Sequence, residues 1–223
     1  MKREPLETGD KSKTLLIPEW NETYHSHHGA LTEALHVFIL HGLKHSNKTT
    51  VRIFEMGFGT GLNALLSLEY AHKNNLQVFY DSIEKYPLSY EEVKPLSYPE
   101  LAELNHLEKE FEEMHLAGWN ETKKISDNFV LKKLHADISE PDLEPDFYDI
   151  IYYDAFGPRV QPELWSEEIC RRLFQSLRPG GILVTYCAQG QFKRNLKSAG
   201  FEVENLEGPP GKREMTRALK VMS

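Results

Sequence analysis

The sequence predicts an α/β fold in which a mostly parallel β-sheet carries helices on both faces. Two observations predict it. The first is that short apolar segments alternate along the chain with longer segments whose leucines recur at helical spacing. The second is that residues 51–72 form a clear strand–turn–helix unit, where VRIFEM is followed by GFGTG and then by LNALLSLEYAH. Strands that alternate with helices are joined by crossover connections, so successive strands run parallel.

The composition fits one globular domain over residues 1–223. Hydrophobic residues make up 40% and charged residues 27% of the 223, which is ordinary for a soluble protein. No apolar run approaches the roughly 18–20 residues of a membrane span, and the polar start MKREPLETGDK lacks a signal-peptide core. Two cysteines are too few for a disulfide framework. We therefore expect a cytoplasmic protein with reduced thiols and no membrane partner.

The first half of the chain begins with an N-terminal extension, residues 1–45. Within it we predict a strand over residues 14–18 and a helix over 32–42, which ends at a glycine. The run VRIFEM predicts a buried strand over 51–56, and the leucine spacing predicts a helix over 60–72. A second strand follows over 76–83.

Residues 86–125 are rich in glutamate, leucine and tyrosine and lie between two predicted strands. Connections this long have structure or function of their own, so we predict a helical insertion after the second strand. Beyond it, FVLKKL predicts a weak strand over 129–134 and YDIIYY a strong one over 148–153.

The C-terminal third continues the alternation. An amphipathic pattern predicts a helix over 165–177, stopped by the sequence RPGG, and a strand follows over 182–187. A helix over 191–199 ends at a glycine. The last two strands, over 201–206 and 215–221, are joined by a short Gly/Pro loop and are expected to pair antiparallel.

The glycine loop after the first strand of this alternation is the most informative segment. It reads G-x-G-x-G, with Gly57, Gly59 and Gly61, and Glu55 stands two residues before it. A phosphate loop would need Gly-Lys-Ser/Thr and a dinucleotide loop G-x-G-x-x-G, and neither is present. A carboxylate at Glu55 would repel a pyrophosphate. The loop therefore favours a cationic or hydroxyl-rich ligand at the start of the next helix.

Acidic residues follow three more predicted strands. Glu84 stands where a carboxylate can accept both hydroxyls of a ribose, and Asp137 where one can accept from an adenine amine. Because ligands of open α/β sheets bind at the carboxyl ends of the strands, these acids should converge on one site. Together with the glycine loop they describe a pocket for S-adenosylmethionine, which has a sulfonium, an amino acid and a ribose but no phosphate.

Asp154 ends the strongest strand, in the sequence YYDAFGP. A transferred group would meet its acceptor there, and a carboxylate can orient an attacking amine or take its proton. Phe156, past the strand end, is a candidate for stacking on a base, whereas Tyr152 is expected to pack in the core.

Five segments, in order, carry a family resemblance: EMGFGTGLN, IEKYPL, YYDAFGPRVQPELW, RPGGILVTYCAQG and KSAGFEVENLEGPPGKREMTRA. Over residues 14–223 the chain resembles the methyltransferase part of MnmC-type tRNA-modifying enzymes and their stand-alone MnmD relatives. The resemblance implies a class I, Rossmann-like S-adenosylmethionine-dependent methyltransferase with seven strands, the last antiparallel. It also implies N-methylation of 5-aminomethyl-(2-thio)uridine at the wobble position of tRNA, which gives 5-methylaminomethyl-(2-thio)uridine, with the anticodon loop as partner.

The resemblance and the motifs together predict the site residues, with Asp154 as the catalytic residue. The cofactor-binding residues are predicted to be Tyr24, Glu33, Glu55, Gly57, Phe58, Gly59, Thr60, Gly61, Asn63, Glu84, Lys85, Asp137, Ile138 and Asp154. The substrate-binding residues are predicted to be Phe156, Lys212, Arg213 and Glu214. No metal is expected, because His25, His27 and His28 have no carboxylate or cysteine at ligand spacing.

Other functions remain open at this point. An aminopropyltransferase of the spermidine synthase type would share the sheet, a Tyr-His pair and the acid at Asp154, although its glycine loop differs. A small-molecule amine methyltransferase and a non-catalytic S-adenosylmethionine-binding module are further alternatives. The net charge of −8 is low for a tRNA-binding protein, although the C-terminal part is basic. We expect no FAD-dependent oxidase domain in this chain, in contrast to the bifunctional enzymes.

Overall fold

The structure, a computed structural model, describes residues 2–221 and contains two β-sheets. Its strands, in chain order, are β1 (Glu4–Glu7), β2 (Lys13–Ile17), β3 (Glu22–Thr23), β4 (Thr50–Met56), β5 (Gln77–Glu84), β6 (Thr122–Ser126), β7 (Phe129–His135), β8 (Tyr148–Tyr153), β9 (Leu177–Thr185), β10 (Glu202–Glu207) and β11 (Glu214–Leu219). The α-helices are α1 (Ala30–Ala34), α2 (Leu62–Asn74), α3 (Tyr90–Val93), α4 (Tyr98–Leu101), α5 (Glu108–Leu116), α6 (Glu167–Ser176) and α7 (Gly190–Ala199). A π-helical stretch, Leu35–Leu40, continues α1 directly.

The central sheet has the order β10-β11-β9-β8-β4-β5-β7-β6. Strands β7, β5, β4, β8 and β9 pair parallel with one another. Strand β11 pairs antiparallel with both of its neighbours, as the short final loop predicts. The predicted α/β class with a mostly parallel sheet and an antiparallel last strand is confirmed.

The two faces of the sheet bury two separate apolar clusters. Successive side chains of β4 point to opposite faces, so that Val51 and Ile53 join one cluster, whereas Phe54 and Met56 join the other. The first cluster packs α1, α2 and the helices of the insertion against the sheet. The second cluster packs α6 and α7 against it. Burial on both faces explains why β4 and β8, at the centre of the sheet, have long buried runs rather than an alternating pattern.

The sheet has eight strands rather than the predicted seven. The insertion is helical only as far as Leu116, and its last residues form β6, which pairs antiparallel with β7 at the sheet edge. The sequence TKKIS of β6 shows three exposed positions and one buried one, as expected for an edge strand. A pattern with so little apolar content gave no strand signal, so the helical prediction over residues 117–125 was wrong.

The N-terminal extension also contains more strand than predicted. Strands β1, β2 and β3 form a separate antiparallel sheet, of which only β2 was predicted. Strand β9 begins five residues before the predicted position, at Leu177, so that the RPGG sequence lies inside the strand. The helix prediction over residues 165–177 corresponds to a 3₁₀ turn, Pro162–Trp165, followed by α6.

His115 on α5 is a buried histidine that packs behind the glycine loop. It is 9% exposed, its Nδ1 donates to the carbonyl oxygen of Phe111 at 2.9 Å, and its Nε2 has no hydrogen-bond partner. Burial lowers the pKa of the ring to about 4. The ring is therefore neutral in the folded protein at neutral pH.

This histidine should make stability depend on pH. Between about pH 6.5 and pH 4 the unfolded chain binds a proton on this ring and the folded protein does not, so stability falls as pH falls through that window. Over this window the free energy of unfolding of His115→Phe should fall by about 2–3 kcal/mol less than that of the unaltered protein, at about 1.4 kcal/mol per unit of pKa difference. Urea unfolding at pH 7 and pH 4.5 measures it, with the exposed His135→Gln as control. Equal pH slopes for His115→Phe and the unaltered protein would contradict the assignment.

Candidate active site

One cavity of about 440 Å³ opens at the carboxyl ends of the parallel strands, where ligands of such sheets bind. Its wall begins with the glycine loop between β4 and α2 and continues with the ends of β5, β7 and β8. The segment of residues 22–28 and the loop between β10 and β11 complete it from the other side. The cavity thus joins elements from both ends of the chain to the centre of the sheet.

The glycine loop requires glycine for steric reasons. Gly57, Gly59 and Gly61 have φ angles of +96°, +49° and +73°, which L side chains rarely adopt. At Gly57 an added Cβ would lie 2.8 Å from the carbonyl oxygen of Asp154. The loop therefore passes directly against the end of β8. Close approach of these two backbones brings α2 and Asp154 together on one side of the cavity.

Four polar side chains form a network at this point, three of them buried and the fourth, Asp154, half-buried. Asn63 on α2 donates from its Nδ2 to Glu55 Oε1 at 3.1 Å and to Asp154 Oδ2 at 2.8 Å. Ser82 on β5 donates to the other oxygen of Glu55 at 2.7 Å. Glu55 is completely buried and lies behind the cavity wall, whereas Asn63 and Asp154 line the cavity. Glu55 therefore makes no direct contact with the cavity and is connected to it by its hydrogen bond to Asn63.

Both carboxyl groups of this network have perturbed acidities. Burial, together with the nearby charge of Asp154, raises the pKa of Glu55 to about 8. Burial and the charge of Glu33 raise the pKa of Asp154 to about 7, against the lowering effects of Asn63 and Lys212. An acid whose pKa lies near neutral pH is suited to exchanging a proton with a ligand.

Glu84 and Asp137 stand at the ends of β5 and β7, as predicted. Glu84 accepts from the backbone N–H of Gly59 at 3.1 Å and of Tyr86 at 2.8 Å, and burial raises its pKa. Asp137 forms an ion pair with Lys85 at 2.8 Å, and it also accepts from the backbone and hydroxyl of Ser139. These contacts lower the pKa of Asp137 to about 2. Both side chains are thus held in place at the cavity edge.

We expect Glu84→Ala to weaken S-adenosylhomocysteine binding about tenfold to a hundredfold, because hydrogen bonds to a charged group contribute about 1.5–3 kcal/mol. The change removes an acceptor from the cavity and leaves the N–H of Gly59 without its partner. Calorimetric titration measures the dissociation constant. The exposed Glu202→Ala on β10 is the control. An unchanged constant for Glu84→Ala would remove this residue from the site.

The N-terminal segment and the last loop close the cavity together. Glu33 is 7% exposed and pairs with Lys212 of the loop between β10 and β11. The Lys212 ammonium also lies 4.1 Å from the centre of the Tyr186 ring. The hydroxyl of Tyr186 donates to the carbonyl oxygen of Ala155 at 2.7 Å. This contact series connects α1, the final loop and the end of β8 across the cavity.

His25 also lines the cavity, as a neutral ring. Its Nδ1 lies 3.1 Å from Thr14 Oγ1 and its Nε2 lies 3.4 Å from Thr60 Oγ1 in the glycine loop. Burial lowers its pKa to about 4. His25 therefore ties the N-terminal segment to the glycine loop.

Aromatic rings surround the mouth of the cavity next to Asp154. The ring of Phe156 meets those of Tyr24 and Trp20 edge to face, with centroids 5.0 and 5.3 Å apart. Trp20 contacts Tyr86 in the same way at 6.1 Å. Such a set of rings offers apolar surface to a planar ligand two residues from the carboxyl of Asp154.

The structure brings most of the predicted site residues to this cavity. Those that line it are Tyr24, Glu33, Gly57, Phe58, Gly59, Thr60, Asn63, Glu84, Lys85, Asp137, Ile138, Asp154, Phe156 and Lys212. Four predicted residues do not line it. Glu55 and Gly61 lie behind its wall, Arg213 lines an adjoining shallow depression, and Glu214 there forms an ion pair with Lys193 at 3.0 Å.

Sequence reasoning missed several cavity residues. Tyr86 follows a predicted strand and Tyr186 lies near the end of another, each inside a segment that carries the family resemblance, and this position was an available signal. Glu22 and Glu163 line the cavity as well, although nothing in the local pattern distinguishes them from solvated acids. Their placement depends on the N-terminal sheet and on the loop after β8.

Other candidate chemistry finds no support in the described part of the chain. Within residues 2–221, no group of three or more His, Cys, Asp or Glu side chains could hold a metal ion. Cys170 and Cys187 are free and buried, and burial raises the pKa of both thiols. Over the same residues, no helix is both long enough and apolar enough to cross a bilayer.

Comparison with known proteins identifies the family. A family model described as S-adenosyl-L-methionine-dependent methyltransferase matches residues 99–221. The tRNA 5-methylaminomethyl-2-thiouridine biosynthesis bifunctional protein MnmC of Cupriavidus necator is 33% identical over 90% of this chain and 32% of its own length. The MnmC protein of Aeromonas hydrophila is 29% identical over 92% of this chain and 34% of its own length. The chain thus spans about a third of the curated relatives it matches.

Solved structures agree with this result. The crystal structure of MNMC2 from Aquifex aeolicus superposes with a TM-score of 0.74 at 28% identity, and the match covers 97% of this chain and 70% of that one. Spermidine synthase from Thermotoga maritima superposes with a TM-score of 0.56 over 99% of this chain and 72% of that one. At 11% identity the second match shows the fold alone.

The cavity fits the cofactor of this family. S-adenosylmethionine carries an ammonium, a sulfonium and a ribose, and the wall offers the carboxylate of Glu84 beside the glycine loop that opens α2. An added Cβ at Gly59 would lie 3.3 Å from Tyr24, so a side chain there would fill the space in front of the loop. Fold, cavity and comparisons thus agree: the chain belongs to the S-adenosyl-L-methionine-dependent methyltransferase family, and S-adenosylmethionine is its cofactor.

Proposed function

We propose that this methyltransferase N-methylates the aminomethyl group of 5-aminomethyl-(2-thio)uridine at the wobble position of tRNA, giving 5-methylaminomethyl-(2-thio)uridine. The names of the MnmC relatives, which place those proteins in the biosynthesis of this nucleoside, support the proposal. The observation that carries it is the position of Asp154. Its carboxyl lines the cavity with a pKa of about 7, beside an aromatic mouth.

The chemistry of an amine acceptor explains this arrangement. S-adenosylmethionine supplies an activated methyl group, and the amine must lose its proton before its lone pair can attack. Asp154 can accept that proton and orient the nitrogen. Phe156 can stack on the base that carries the aminomethyl group, since specific RNA recognition uses bases splayed out of a loop. Glu33 and Lys212 would hold the cavity closed around the reacting groups.

The anticodon loop of tRNA is the proposed partner, which places the protein in the cytoplasm. Arg213 and Lys212 line the shallow depression that adjoins the cavity, together with residues 186–189, which precede α7. Arg159 lies at the rim, where it pairs with Glu22 at 2.8 Å. Basic side chains beside the mouth can contact phosphates even in a chain whose net charge is −8.

The test is methyl transfer from labelled S-adenosylmethionine to total tRNA from cells that lack this protein. The tRNA is digested to nucleosides and analysed by mass. We expect one added methyl on 5-aminomethyl-uridine or its 2-thio form. If that nucleoside stays unmodified while calorimetry shows the cofactor bound, the proposed substrate is wrong.

A polyamine or another small amine is the competing acceptor. Three additional acids, Glu22, Glu33 and Glu163, line the cavity and would attract a cationic chain. Putrescine and small primary amines therefore form a second arm of the assay, with S-adenosylmethionine and with its decarboxylated form as donors. Transfer to these amines but not to tRNA would favour a small-molecule transferase.

A further inference from the structure

Four buried side-chain polar atoms within residues 2–221 have no hydrogen-bond partner: Arg3 Nε, Asn63 Oδ1, Tyr80 Oη and His115 Nε2. Asn63 alone among these residues lines the cavity, and it is 3% exposed. An unpaired buried acceptor costs about 1–3 kcal/mol. A ligand that donates an N–H to this oxygen would remove that cost. The position thus favours an amine beside the amide of Asn63.

We propose that Asn63 couples the charges of Glu55 and Asp154, so that the two carboxyls behave as one pair, and that Asp154 takes the proton of the amine that is methylated. The identity of that amine rests on the proposed function, but the existence of the pair does not. Glu55 would then act on the reaction without touching the ligand, and Asn63 would be a positioning residue as well as a contact for the amine.

The geometry of Asn63 supports the coupling. Its amide group has two N–H bonds, and one is directed at each carboxyl, over 3.1 Å to Glu55 and 2.8 Å to Asp154. No lysine or arginine of the described residues forms an ion pair with either carboxyl, and Lys212 pairs with Glu33 instead. Glu55 is buried and Asp154 is half-buried, and only a neutral donor lies between them, so the second carboxyl to ionise does so against the charge of the first.

The charged and titratable groups around the pair do not change this conclusion. Glu33 of α1 raises the pKa of Asp154, whereas Lys212 of the final loop lowers it. Tyr80 of β5 and Tyr152 of β8 face Glu55, and Tyr186 beyond β9 faces Asp154. Burial raises the pKa of all three phenols, so they remain neutral. The pair is therefore expected to titrate in two coupled steps.

The proton balance of the reaction is simple. An N–H bond of the substrate ammonium breaks, and the proton passes to a carboxylate oxygen of Asp154. The freed lone pair then forms the new N–C bond, while the bonding electrons of the methyl group stay on the sulfur that loses it. A remaining N–H of the amine donates to Oδ1 of Asn63. Asp154 loses its negative charge in this step. Glu55, which accepts a hydrogen bond from the same amide, then has one fewer negative charge beside it.

Carboxyl-carbon NMR titration of the intact protein, without any substrate, tests the pair directly. We expect the Asp154 signal to titrate in two steps in the unaltered protein and in a single step in Glu55→Gln. In Asn63→Ala the loss of an N–H donor to the charged forms should move both steps to higher pH. The matched control is Ser67→Ala, one turn along α2, whose hydroxyl contacts Tyr152 rather than the pair. Identical single-step titrations in the unaltered protein and Glu55→Gln would overturn the proposal.

The pH profile of single-turnover methyl transfer provides the second readout. Its rising limb should move to higher pH in Asn63→Ala by up to one unit, which is a tenfold loss of rate at the low-pH side. A purely structural role would lower the rate equally at all pH values and overturn the assignment.

If tRNA is not methylated but the coupled titration is present, the proposed function fails and the pair stands. If tRNA is methylated and the titrations are uncoupled, the pair fails alone.

Discussion

Replacing Asp154 with alanine is expected to lower the turnover number about 10²–10⁴-fold, which is the usual contribution of a positioned proton acceptor. The carboxyl of Asp154 lines the cavity, with a pKa of about 7 that suits it to take a proton from an amine. The dissociation constant of S-adenosylhomocysteine should change only a few-fold, because other residues supply most cofactor contacts. Single-turnover kinetics and calorimetry measure the two quantities separately.

A second acid provides the control for this experiment. Asp81 on β5 also has a raised pKa from burial, but it accepts a hydrogen bond from Tyr148 at 2.8 Å and does not line the cavity. Asp81→Asn should therefore leave turnover unchanged. A result in which Asp154→Ala keeps its turnover and loses cofactor binding would make Asp154 a cofactor ligand without a role in proton transfer.

Replacing Gly57 with alanine is expected to abolish both cofactor binding and turnover. The residue has a φ of +96°, and its added Cβ would lie 2.8 Å from the carbonyl oxygen of Asp154. Backbone at both places must shift, and a misplacement of about 1 Å at a reacting group can cost about a hundredfold in rate. We also expect a loss of about 1–3 kcal/mol in unfolding free energy from the strained conformation.

Gly180→Ala is the control that separates the loss of stability from the loss of activity. It has a similar φ of +79°, but a Cβ there meets no atom within 4 Å, and the residue lies in β9 away from the cavity. Gly180→Ala should lose about 1–2 kcal/mol of stability from its backbone conformation and keep its activity. Equal activities of the two variants would show that the contact between Gly57 and Asp154 has no functional importance.

Most of the central sheet could be predicted because its strands are buried on both faces. The runs that form β4, β5 and β8 are rich in apolar and aromatic residues, and glycines or helices separate them. Strands β1, β3 and β6 escaped prediction because they are short or exposed. Their pairing depends on partners distant in sequence, so no local periodicity marks them.

The candidate site was predictable to the extent that it follows strand ends. Asp154 and Glu84 follow clear strand signals and Asp137 follows a weak one, and the parallel order of those strands brings the three acids to one edge. The places of Glu22 and Glu163 in the cavity wall were not predictable in this way. They depend on the N-terminal sheet and on the segment after β8, whose course is set by the whole fold.

The sequence alone determined the fold class, the cofactor chemistry and the acids at the strand ends, because periodicity and glycine spacing are local properties of the chain. Only the tertiary structure decided which of those acids face the cavity. It places Glu55 behind the wall and Asp154 in it, and it connects them through the amide of Asn63. The physical reason is that burial and charge pairing, which set the acidity of a carboxyl, depend on neighbours contributed by four different parts of the chain.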